Sequence, residues 1–180
     1  RIIQAGGFIS VNTGGTPGWN QQWRGPLREA LDWLADQADA VFTQQGGPLL
    51  RDPWAAREDY IEVILDRSEE SLTRFLAKHA REGADVTSVL ELLEMQRNAM
   101  LMFTSCGWFF SDLSGIETVQ VLHYAGRVLQ LAQRISGQSF ESGLLTRLAG
   151  ARSNVPGRGT GRQIYEREVI PPTLALSRVA

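Results

Sequence analysis

The sequence predicts an all-α fold: a helical bundle of about five to seven helices with an irregular N-terminal arm and long loops. Three observations carry this. Apolar residues recur at helical spacing in several stretches, many of those stretches open on capping signatures and close near glycine or proline, and none alternates apolar with polar residues for long enough to make a convincing strand.

Residues 1–25 are expected to form the arm, because six glycines fall between residues 5 and 25 together with Pro17. Residues 26–180 are expected to form the bundle domain. Pro26 suits a first helical turn; Leu27, Leu31, Leu34, Ala38 and Val41 supply the stripe, and Gly46–Gly47 is expected to stop the helix. Asp52 reads as an N-cap ahead of Pro53, opening a second helix to about Asp66. Ser68 caps a third, with Glu69 and Glu70 at the electropositive end of its dipole and Gly83 as its stop.

A fourth helix is expected from about Asp85 to Gly107, with Val89, Leu93 and Met100 on its broad apolar face. Ser114 with Glu117 fits the S-x-x-E capping box of a fifth, whose two apolar faces predict a central position. A sixth spans about Phe140 to Ala151, and after the turn-rich "SNVPGRGTGR" the segment "QIYEREVI" predicts a short last helix, broken by Pro171 and Pro172.

Lys plus Arg number 18 against 20 Asp plus Glu, a net charge of −2 without the basic excess that phosphate-backbone binding needs, so no nucleic-acid partner is expected. No apolar run approaches the roughly 20 residues needed to cross a bilayer, so no membrane partner is expected either. One cysteine precludes an internal disulfide and fits a reducing compartment, hence a cytoplasmic location. The opening "RIIQAGGFIS" has neither an initiator methionine nor a signal-peptide pattern and reads as part of a longer protein.

The candidate chemistry is sparse. Cys106, at the negative end of the predicted fourth helix, reads as a buried structural cysteine and not as a nucleophile. His79 and His123 are the only histidines and sit in no zinc motif, so no metal and no cofactor is expected. Gly157, Gly159 and Gly161 with Arg158 and Arg162 only faintly resemble a phosphate-binding loop, and a plain surface loop is expected.

The best candidate is "FTSCGWFFSDLSG", residues 103–115, between the fourth and fifth helices. Its rings can plug the core, meet a partner or line a ligand wall, with Trp108 as a flat platform and Asp112 as a hydrogen-bond acceptor. On the fifth helix Gln120 and His123 belong to a polar row flanked by Glu117, which reads as a solvated face or, beneath the Trp108 loop, as support for the same cavity. No complete catalytic constellation is present.

The blocks "GTPGWNQQWRGPLREALDWL", "RNAMLMFTSCGWFFSDLSGIETVQVLHYAGRVLQLA" and "SNVPGRGTGRQIYEREVIPP" together resemble the uncharacterised C-terminal helical domain attached to proteins of glycoside hydrolase family 57, over roughly residues 14–172. The resemblance implies a catalytic barrel preceding this domain in the parent chain, which carries the catalytic carboxylates and is the expected partner, with an α-glucan or other oligosaccharide as substrate. It implies a non-catalytic domain that packs on the barrel and completes its cleft, with Trp108 stacking on sugar, Asp112 bonding it, and Glu117, Gln120 and His123 nearby. The alternative is a structural or protein-interaction module that never touches sugar.

Overall fold

In the computed structural model, residues 16–170 are described, and they hold nine helical segments and no strand, only two isolated bridges. The expectations for residues 1–15 of the arm and for Pro171 and Pro172 lie outside the described residues. The long elements are α1 (Arg24–Leu49), α5 (Val86–Leu101) and α7 (Ile116–Ser136); α2 (Pro53–Asp59), α3 (Ile61–Leu65), α4 (Glu69–His79), α6 (Cys106–Phe109), α8 (Glu141–Leu148) and α9 (Gly161–Glu168) surround them. Seven segments have seven residues or more, as a bundle of five to seven helices requires, and α3 and α6 are the short additions.

The three long helices pack on one another and α7 also touches α6 and α9, the central position its two apolar faces predict. Leu27, Leu31, Leu34 and Ala38 of α1 meet Leu92, Leu93, Leu122 and Ala125 in a fully buried core. Burying such side chains contributes about 1.5–3 kcal/mol each, and this core is the main source of order.

Side-chain capping holds at three of the predicted starts. Asp52 Oδ1 accepts from the amides of Trp54 and Ala55 at 3.1 Å, Ser68 Oγ accepts from Ser71 N at 3.2 Å, and Asp85 Oδ2 accepts from Ser88 N at 2.8 Å. The capping box of α9, Thr160 with Gln163, sits in "TGRQ", a pattern visible in the sequence that the residue reading passed over.

Several boundaries differ, among them the end of α4 at His79, four residues before the expected stop at Gly83. Gly46–Gly47 does not stop α1, which continues through Pro48 to Leu49. Gly46 is buried, and a Cβ there would lie 3.0 Å from Pro53 Cβ, so the glycine allows α2 to approach. The end is closed from outside, where the Arg81 guanidinium donates to Gly47 O at 2.8 Å and Leu50 O at 3.0 Å. The second predicted helix is two, α2 and α3, joined at Tyr60, whose buried ring sends its hydroxyl to Glu94 Oε1 at 2.9 Å.

The predicted fourth helix ends at Leu101. Thr104 takes the Leu101 carbonyl with both amide (3.2 Å) and hydroxyl (3.0 Å), and the chain turns into α6. Cys106 therefore opens a short helix and is exposed, which corrects its reading as a buried cysteine at a helix C-terminus. Ser114 does not cap α7 either: Gly115 holds the N-cap position without a side-chain bond, because the Ser114 hydroxyl is bound to Asp112.

α6 lies on the first turns of α7, where Thr118 Oγ1 donates to Gly107 O at 2.8 Å. A Cβ on Gly107 would run into the Val121 side chain and lie 3.2 Å from Glu117 O. Gly107→Ala is accordingly expected to cost about 1–3 kcal/mol by overpacking, read as a fall in Tm of about 2–4 °C for each kcal/mol in thermal unfolding followed by circular dichroism.

Candidate functional site

The site is built from the turn between α5 and α7. Trp108 is half-buried, its indole N–H donates to Met102 O at 3.2 Å, and the Arg28 guanidinium lies 4.7 Å from the Phe103 ring centre and 6.0 Å from that of Trp108. Phe109 and Phe110 are the exposed rings of the turn: they are 59% and 44% exposed and stand edge to face, 5.3 Å apart. A single Arg24 nitrogen donates to both of their carbonyls, at 3.1 and 3.0 Å.

Asp112 is what fixes this turn. It is 6% exposed, and its Oδ1 accepts from Ser114 N (2.8 Å), Ser114 Oγ (2.7 Å) and Ser153 Oγ (2.8 Å), while Oδ2 accepts from Asn154 N (2.5 Å). Burial by itself raises the carboxyl's pKa, yet the bonds from Ser114, Ser153 and Asn154 outweigh it and hold the group below the ordinary aspartate range.

Around it Asn154 Nδ2 donates to Ser111 O (3.0 Å) and Asn20 O (2.9 Å), Asn20 N donates back to Asn154 Oδ1 (3.0 Å), and the Trp23 indole donates to Ser111 O (3.4 Å). One polar cluster thus joins the entry to α1, the turn before α7 and the loop before α9. Asn20, Trp23, Arg24, Ser153 and Asn154 were missed by reading residue by residue. The available signal was that they fall in the same three sequence blocks as Asp112.

The five sequence candidates are placed differently from one another. Trp108 borders the turn, Asp112 is its buried clasp, Glu117 is half-buried in the first turn of α7, Gln120 is exposed and His123 is half-buried. Two clefts of about 680 and 480 Å³ are formed by the 152–160 loop with α9 and by α1 with α8, and neither is lined by any of the five. Among the described residues no group of three or more His, Cys, Asp or Glu side chains could hold a metal ion, and no helix is long and apolar enough to cross a membrane.

Asp112→Ala leaves two half-buried amides and two hydroxyls without their acceptor, and is expected to cost about 2–4 kcal/mol. Because the folded-state pKa is depressed, the carboxylate's contribution is present above the unfolded value of about 3.9 and is lost as pH falls through the lower folded value. Urea unfolding of both proteins should therefore show a gap that is constant near neutrality and narrows below about pH 4.

No curated protein and no solved structure matches the chain. A family model described as a domain of unknown function (DUF3536) matches residues 19–180, which takes in all three elements joined by the Asp112 cluster, and the chain belongs to that family.

Proposed function

We propose that this domain is a non-catalytic docking module which packs, through the turn bearing Phe109 and Phe110, on the catalytic barrel of a glycoside hydrolase family 57-like protein. The observation that carries the reading is the pairing of two exposed rings with a buried clasp. Aromatic side chains left largely in water are costly unless something covers them, and a turn fixed by Asp112 and Arg24 presents them preorganised, without the ordering cost a loose loop adds on binding. The identity of the partner rests on the resemblance of the three sequence blocks.

A sugar-contacting role is the second reading, favoured by the half-exposed Trp108. Against it, all four bonds to Asp112 come from within the domain, and one side of Trp108 faces Arg28. Retaining glycoside hydrolysis needs two carboxyls about 5–5.5 Å apart, and Asp112 alone supplies no such pair, so purified chain is expected to turn over no α-glucan.

The discriminating experiment uses the barrel and this domain in one protein. Phe109→Ala/Phe110→Ala is expected to separate the unfolding of the domain from that of the barrel in calorimetry and to expose the joint to protease, with KM for α-glucan little changed at temperatures where both parts are folded. The cleft-completing role instead requires Trp108→Ala to raise KM severalfold while unfolding remains coupled, and that result would displace the docking reading.

A further inference from the structure

We draw no further inference here: the strongest candidate, the cleft of about 680 Å³ between the 152–160 loop and the N-terminus of α9, is lined by the exposed side chains of Arg152 and Arg162, and nothing in the structure shows what would occupy it.

Discussion

The arrangement of this domain turns on one buried carboxylate. Removing an aspartate from water is unfavourable unless its charge is answered, and Asp112 is answered four times, by two amides and two hydroxyls. Two of those donors lie on Ser114, within the same turn, and two on Ser153 and Asn154 in the loop before α9. The consequence is geometric. The turn cannot shift relative to the α8–α9 connection without leaving a charge and its donors unpaired, a far larger penalty than the loss of one surface contact.

From that anchor the rest of the site follows. Asn154, held by its amide, uses its side chain to bind Ser111 and Asn20, which brings in the segment leading to α1. Arg24, one residue into α1, then fastens the carbonyls of Phe109 and Phe110. Gly107 lets the short α6 sit against Val121 of α7, so the rings are directed outward by backbone placement on both sides. The turn is exposed at its rings and buried at its polar base. That is the reverse of a mobile loop, whose polar groups face water and whose apolar groups seek cover.

The polar capacity of the turn is taken up within the domain, while Phe109 and Phe110 remain exposed.

Much of the fold was legible because its determinants are local. Asp52 before Pro53, Ser68 before two glutamates and Asp85 before Val86 each place a side-chain oxygen within reach of amides two or three residues ahead, whatever the rest of the chain does. The stripe through Leu27, Leu31 and Leu34 likewise reads directly as a buried face. Where the reading failed, a distant group had changed the local outcome. Pro53 packing on Gly46 and Arg81 capping the carbonyls beyond it let α1 outrun its glycines, and Asp112 took the hydroxyl that Ser114 was expected to give to α7.

Sequence by itself therefore determined where α2, α4 and α5 start, which faces are apolar and that residues 103–115 hold rings needing cover. It also marked Trp108 and Asp112 as the residues to question, without distinguishing their roles. Only tertiary structure decided that Asp112 faces inward to Ser153 and Asn154, 41 and 42 positions away, and that Phe109 and Phe110 face out. The physical reason is reach: a cap or an apolar stripe is settled within a few residues, whereas the partner of a buried charge is whichever donor the packed chain delivers to it.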